Sequence, residues 1–126
     1  IVSTWDIYRV VFGPMDCLED DHGTRRVINS WIIVGRDGRV AWKNIPSRLH
    51  NRLETRLPNW AALAEVSLGP GESYFVRFLD GTVDYCLPAH LADVCEYIGR
   101  YGGRITDIVL HPEISNDFVI RHTEMR

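Results

Sequence analysis

The sequence lacks the features that mark several large classes of protein. It has no apolar run near the ~20 residues that a membrane-spanning helix requires. No signal-peptide pattern is visible, and because the sequence starts at Ile1 instead of Met we expect it to be a piece of a longer protein or a processed product. Its three cysteines are an odd number without the spacing of a disulfide framework, which favours a reducing compartment. We therefore expect an intracellular, cytoplasmic chain, and we expect it to be part of a larger protein or oligomer.

Sequence signatures of catalysis are also absent. There is no Gly-x-Ser-x-Gly motif, and no cysteine stands beside a plausible base in the sequence. The turn Gly69-Pro70-Gly71 lacks the Gly-Lys-Ser/Thr ending of a phosphate-binding loop. Because function has to be argued from a site and no such site is visible, we expect no catalytic residue, no cofactor and a role other than catalysis.

The most informative feature that is present is an internal repeat. Segment 30–42 aligns with segment 73–85 at a constant offset of 43 residues, and both contain Asp-Gly. A fixed period of this size is typical of repeat architectures. We predict one domain over residues 1–126, and its parts follow in this order: a partial unit 1–14, an insert 15–29, repeat one 30–72, repeat two 73–115 and a partial third repeat 116–126.

Each unit carries the pattern of three strands and one helix. The Asp-Gly pairs at 37–38 and 80–81 lie between short alternating runs, which is typical of a two-residue hairpin with a type I′ turn. Pro46 and Pro88 follow these hairpins and suit the first turn of a helix. The fold class predicted is α+β, with tandem repeats of about 43 residues, each an antiparallel three-stranded meander plus one helix.

The apolar positions predict which side of each element is buried. The first helix has a leucine at every fourth position, and Pro58 is expected to end it. These leucines are Leu49, Leu53 and Leu57. In the strand at 74–78 the side chains alternate between two faces. One face is predicted to hold Tyr74, Val76 and Phe78, and the other Phe75 and Arg77.

Four short motifs resemble a poorly characterised accessory repeat of eukaryotic multidomain proteins. They are Tyr74-Phe75-Val76-Arg77-Phe78, Asp80-Gly81, Leu87-Pro88 and Val66-Ser67-Leu68-Gly69-Pro70. In such proteins this kind of repeat sometimes stands beside protein kinase domains. The resemblance covers about residues 31–122, and the insert 15–29 departs from it. It implies an accessory or recognition module and carries over no catalytic residue.

A small metal- or ligand-binding domain that uses the 15–29 insert is an alternative function. Cys17 and His22, with Cys86 and His90, could supply the four ligands of a tetrahedral zinc site, although their spacing is not that of a standard zinc finger. The insert is also rich in carboxylates, which bind Ca²⁺ or Mg²⁺, but the alternating calcium-loop pattern is missing. A solvated, irregular acidic loop is the simpler interpretation of this segment.

Charge is distributed unevenly along the chain, whose net charge is −3. Segment 25–57 carries +6 and segment 58–126 carries −5, so the two units could attract each other. Arg48, Arg52 and Arg56 line one side of the first predicted helix and could bind an anion or a nucleic acid. Arginines also commonly extend along the edge of a buried face, and a net acidic domain argues against nucleic acid.

The cut ends of the repeat suggest how the chain acts. A partial unit at each end would leave strand edges that require a partner, either in a longer chain or in a second protomer. We therefore predict a non-catalytic protein-interaction or assembly module, with contacts near Val10 and Phe12 at one end and Phe118 and Ile120 at the other.

Overall fold

The computed structural model describes residues 6–56 and 63–126. Within them the fold is α+β, as predicted, with three small antiparallel sheets and two helices. The elements are β1 (Ile7–Glu19), β2 (Arg25–Gly35), β3 (Val40–Lys43), α1 (Ser47–Arg56), β4 (Leu63–Leu68), β5 (Tyr74–Phe78), β6 (Val83–Cys86), α2 (Ala89–Arg100), β7 (Ile105–Leu110) and β8 (Phe118–His122). Neither helix in this part of the chain is long and apolar enough to cross a membrane.

The described strands form, in chain order, two three-stranded meanders and one two-stranded hairpin. Sheet A has the order β1-β2-β3, sheet B has β4-β5-β6, and sheet C has β7-β8. The first strand of each sheet lies beside the first strand of the next, so that β1 contacts β4 and β4 contacts β7. The three sheets therefore follow one another as a stack, with sheet B in the middle.

Two hydrophobic cores fill the spaces between the sheets. The first lies between sheets A and B and is closed by the leucines of α1; it contains Ile32, Val34, Val40, Leu49, Leu53, Val66, Leu68, Tyr74, Val76 and Phe78. The second lies between sheets B and C beneath α2 and contains Phe75, Leu91, Ile108 and Leu110. The predicted alternation in β5 is confirmed, because Tyr74 and Val76 enter the first core while Phe75 enters the second.

The prediction of two-residue hairpins with type I′ turns is wrong. Such a turn needs a positive φ at both central residues, and only the glycines have one, with φ 92° at Gly38 and 88° at Gly81. In the second hairpin, Phe78 N donates to Thr82 O at 2.9 Å and Gly81 N donates to Phe78 O at 2.9 Å, which closes a three-residue loop. Asp80 Oδ1 accepts a hydrogen bond from Thr82 N, so the aspartate stabilises the turn without taking a left-handed conformation.

The irregular loop expected at 15–29 is also wrong, because this segment is the outer half of the β1–β2 hairpin. The two strands remain paired from Met15 opposite Asn29 to Glu19 opposite Arg25. A tight turn at residues 20–24 joins them, in which Asp20 Oδ1 accepts hydrogen bonds from His22 N and Thr24 N at 2.9 Å each. Asp20 is one of the carboxylates considered for Ca²⁺ or Mg²⁺, and it stabilises this turn by accepting hydrogen bonds from the backbone.

Both helices begin just after a proline. Pro46 O accepts the hydrogen bond of His50 N, and Pro88 O accepts that of Ala92 N, each at 2.9 Å. Each proline therefore occupies the N-cap position through its backbone. This position lies one residue before the first helical turn, where the prolines were predicted. Leu49 and Leu53 are buried as expected. The third leucine of the pattern, Leu57, and the expected stop at Pro58 lie outside the described residues.

Candidate interaction surface

Sheet A has one buried face and one apolar face whose described side chains are half-buried to largely exposed. Ile32 and Val34 point into the first core, so their neighbours on β2 point to the opposite side, because strand side chains alternate. On that side Val10 pairs with Ile33 and Phe12 with Trp31 across the two strands. We call this surface the outer face of sheet A, and its large apolar side chains are Val10, Phe12, Met15, Val27, Trp31 and Ile33.

The outer face of sheet A is exposed to an unusual degree for an apolar surface. Phe12 is 66% exposed, Val27 64%, Met15 62% and Val10 43%, while Trp31 and Ile33 are half-buried. Single exposed apolar residues are common on proteins, but a contiguous group of them marks an interaction surface. The sequence predicts contacts at Val10 and Phe12 but not at Met15 and Val27, because the composition of their segment indicates an irregular loop.

The positions on sheet B that align with Trp31 and Ile33 are covered by the rest of the chain. Trp31 and Ile33 correspond to Tyr74 and Val76 at the repeat offset of 43 residues, and both of those residues are fully buried. Their cover is supplied by α1, through Leu49, together with the buried face of sheet A. The aligned side chains are therefore fully buried on sheet B and half-buried on sheet A.

The three arginines of α1 contact sheet B. Arg48 Nη2 lies 3.2 Å from Asp84 Oδ1, and Arg52 Nε lies 3.4 Å from Asp84 Oδ2. Arg56 Nη1 lies 3.0 Å from Asp80 Oδ2. The arginine side of α1, which was considered for anion binding, thus already faces two aspartates of the same chain. This reduces the positive charge that is available to bind a phosphate.

A buried tyrosine completes the attachment of α1. The Tyr74 hydroxyl donates to Asp84 Oδ2 at 2.6 Å, and the Asp84 side chain is only 10% exposed. Burial, reinforced by the hydrogen bond to Asp84, raises the pKa of Tyr74 above its ordinary value. Asp84 therefore links the hydroxyl in the core to the two arginines on the helix surface.

The predicted C-terminal contact residues lie on the inner face of their strand. Phe118 and Ile120 are half-buried and pack against the second core, whereas Val119 is 64% exposed and Arg121 is exposed. The alternation of β8 allowed either assignment, and the packing of sheet C against sheet B decides it. The described strands pair β8 with β7 alone.

Three of the four candidate metal ligands, His22, Cys86 and His90, have described side chains. His22 lies at the tip of the β1–β2 hairpin, while Cys86 ends β6 and His90 lies in the first turn of α2. The side chain of Cys17 lies outside the described residues. Within residues 6–56 and 63–126, no group of three or more His, Cys, Asp or Glu side chains is arranged to hold a metal ion.

A cleft of about 300 Å³ lies where the turn before β5 approaches sheet A. Its polar groups bond mainly to the chain itself: Ser30 Oγ donates to Asn44 O at 2.8 Å, and Ser73 Oγ donates to Pro70 O at 2.6 Å. Asn44 and Glu72, which line it, have positive φ values of 54° and 64°. No sequence motif predicts this cleft, and its polar groups stabilise the turns around it.

Comparison of the chain with protein-family models, with curated proteins and with solved structures finds no match. The assignment of function therefore rests on the geometry of the chain itself.

Proposed function

We propose that the chain is a non-catalytic protein-interaction or assembly module that binds its partner through the outer face of sheet A. The observation that carries this proposal is the contiguous apolar surface of Val10, Phe12, Met15 and Val27. Fully burying one such side chain contributes about 1.5–3 kcal/mol, so covering the exposed parts of all four would contribute several kcal/mol. That is enough to drive a specific contact if the shapes fit.

The proposal includes the tandem arrangement of units, which two matching environments support. A Cβ atom built on Gly13 would lie 3.0 Å from Leu68 Cδ1 of the next sheet, and one built on Gly69 would lie 3.1 Å from Leu110 Cδ1 of the next sheet. Each glycine thus permits one sheet to approach the leucine that follows it. Leu68 and Leu110 are 42 residues apart, which is the offset of the second half of the repeat.

The ion pairs between sheets support the same arrangement. Arg9 of sheet A pairs with Glu65 of sheet B, and Arg77 of sheet B pairs with Asp107 of sheet C at 3.2 Å. Glu65 and Asp107 are again 42 residues apart. In an array of stacked units each internal face is covered by its neighbour, so an open apolar face marks the end where another body docks.

The same proposal includes an accessory role, an intracellular and cytoplasmic location, and a partner that is a protein or a second copy. The thiols of Cys86 and Cys95 are both free, which fits a reducing compartment. The engagement of the α1 arginines by Asp84 and Asp80 favours this function over binding of an anion or nucleic acid. The alternative of a small metal site on segment 15–29 gains no specific support from the described geometry.

Sedimentation velocity from micromolar to near-millimolar concentrations tests the assembly function. Phe12→Ser removes the most exposed side chain of the outer face, and Leu79→Ser is the matched control, since Leu79 is 64% exposed but lies on the turn after β5. If a second copy binds this surface, association rises with concentration in the wild type, persists in Leu79→Ser and is lost in Phe12→Ser. Association that survives Phe12→Ser contradicts the proposed surface. A strict monomer throughout contradicts self-assembly and restricts the function to the docked partner considered below.

A further inference from the structure

The way in which sheet B is covered indicates what the outer face of sheet A accepts. On sheet B, Leu49 and Leu53 of α1 lie four residues apart and are 0% and 4% exposed against Tyr74 and Val76. An amphipathic helix that places leucines at this spacing fits a twisted three-stranded face. The corresponding face of sheet A has the same apolar character and no helix of its own among the described elements.

The charges that select the helix differ between the two sheets. Asp84, which holds Arg48 and Arg52 on sheet B, corresponds at the offset of 43 residues to Ala41 on sheet A. Lys43, which corresponds to Cys86, lies opposite Trp31 on β2 and is exposed. A basic helix such as α1 would therefore find no carboxylate at this place and would meet a lysine instead.

A second copy stacked through its sheet C is disfavoured as the occupant. Gly13 in β1 and Gly69 directly after β4 align with His111, which directly follows β7 of sheet C. At Gly69 a Cβ alone would lie within 3.1 Å of the next leucine side chain, so an imidazole at this position blocks the equivalent approach. His111 Nδ1 also accepts hydrogen bonds from Glu113 N and Ile114 N at 3.0 Å each, which fixes the ring in place.

We infer that the outer face of sheet A binds an amphipathic helix of a partner protein that carries leucines four residues apart and acidic side chains where α1 carries Arg48 and Arg52. This inference rests on the proposed function and specifies the partner that the interaction surface accepts. The apolar contacts provide the affinity, and Lys43 selects for the acidic flank.

Two stapled helical peptides test the inference, because an isolated helix of this length is not stable in water. One carries the sequence of α1, residues 47–56, and the other carries the same sequence with Arg48→Glu and Arg52→Glu. Binding is measured by fluorescence anisotropy at low salt. Because one exposed ion pair is weak, we expect the acidic peptide to bind about threefold to tenfold more tightly than the basic one.

Variants of the chain separate the apolar and charged contributions. We expect Phe12→Ser to weaken the acidic peptide by at least about tenfold, because a large side chain leaves the contact. The control Leu79→Ser should leave binding unchanged. Lys43→Glu, at an exposed position, should reverse the order of the two peptides. Salt should reduce the difference between the peptides, since the selecting charges are exposed.

The outcomes distinguish the inference from the proposed function. If both peptides bind equally through Phe12, or if Lys43→Glu does not change their order, the acidic partner is wrong and the interaction surface stands. If neither peptide binds but the chain self-associates through Phe12, the occupant is a second copy and the helix inference fails. If no peptide binds and no association depends on Phe12, both the inference and the proposed function are overturned.

Discussion

Replacement of Asp84 tests how α1 is held against sheet B, which is the internal precedent for helix docking on sheet A. The Asp84 carboxylate accepts the hydrogen bond of the buried Tyr74 hydroxyl and faces Arg48 and Arg52. Asp84→Ala therefore leaves a hydroxyl in the core without its partner and releases two arginines. Asp84→Asn keeps an oxygen that can accept the bond but removes the negative charge.

The expected cost follows from these contacts. An unsatisfied buried hydroxyl costs about 1–3 kcal/mol. The side chains of Arg48 and Arg52 are 62% and 51% exposed, so solvent screening limits their ion pairs to about 1 kcal/mol together. We therefore expect Asp84→Ala to lower the free energy of unfolding by about 2–4 kcal/mol and Asp84→Asn by about 1 kcal/mol.

Urea unfolding followed by tryptophan fluorescence and circular dichroism measures these losses. In a Tyr74→Phe background the hydroxyl is absent, so the cost of Asp84→Ala should fall to about 1 kcal/mol, as a double-mutant cycle would show. Asp93→Ala, on the exposed side of α2, is the control. Additive effects of the Tyr74 and Asp84 substitutions, or a loss no larger than that of the control, would refute the linkage through Asp84.

Three further predictions follow from single contacts. Gly69→Ala should lower the free energy of unfolding by about 1–3 kcal/mol, because the added Cβ would lie 2.5 Å from Ser73 Oγ and 3.1 Å from Leu110 Cδ1. Gly99→Ala, which has open space around it in α2, should raise that free energy by up to about 1 kcal/mol. Thermal unfolding measures both effects, and equal shifts of the midpoint would be evidence against close stacking of the sheets. Hydrogen bonds from Thr82, with further help from Arg56, lower the pKa of Asp80 to about 2, so its stabilising effect is complete above the ordinary value of 3.8 and is lost as the pH falls toward 2. Carboxyl NMR titration of the wild type and of Thr82→Ala, in which the pKa should rise, checks this, and an unchanged pKa in the variant would contradict it. In a Cys17→Ser background, the exposed Cys86 should react with a thiol reagent faster than Cys95, because burial raises the pKa of the Cys95 thiol. The variants Cys86→Ser and Cys95→Ser each leave one of these thiols, so their reaction rates can be compared. Faster reaction at Cys95 would contradict its described burial.

Hydrophobic periodicity correctly predicted the buried faces of β5 and α1. The alternation in β5 correctly divides Tyr74 and Val76 from Phe75, because a strand between two cores must place apolar groups on both faces. The spacing of Leu49 and Leu53 correctly predicts the buried face of α1 for the corresponding reason in a helix. These patterns are local and strong, so they predict the buried positions without knowledge of the tertiary arrangement.

Turn geometry was less predictable. Asp-Gly suits a two-residue loop and also a three-residue loop that ends in a left-handed glycine, so the dipeptide alone does not define the closing pair. The pairing of Phe78 with Thr82 selects the longer loop. At segment 15–29, the acidic composition suggested solvated coil, but the pairing of Met15 with Asn29 and the residues beyond them continues the hairpin.

The candidate surface could be found only in part from the sequence. Val10 and Phe12 were named as contact residues because they belong to a partial unit, and the structure exposes both. Phe118 and Ile120 were named on the same ground, yet sheet C turns them toward α2 and the second core. Which of two alternating faces is covered depends on the neighbouring sheet, and no local pattern carries that information.

Methyl-detected NMR of the full chain, titrated with the acidic stapled peptide, tests the central claim most directly, because it reports each apolar side chain separately. The account predicts shifts at the methyl groups of Val10, Met15, Val27 and Ile33, with Val109 and Val119 of sheet C unchanged. Shifts confined to sheet C, or none on sheet A at concentrations where anisotropy shows binding, would contradict it.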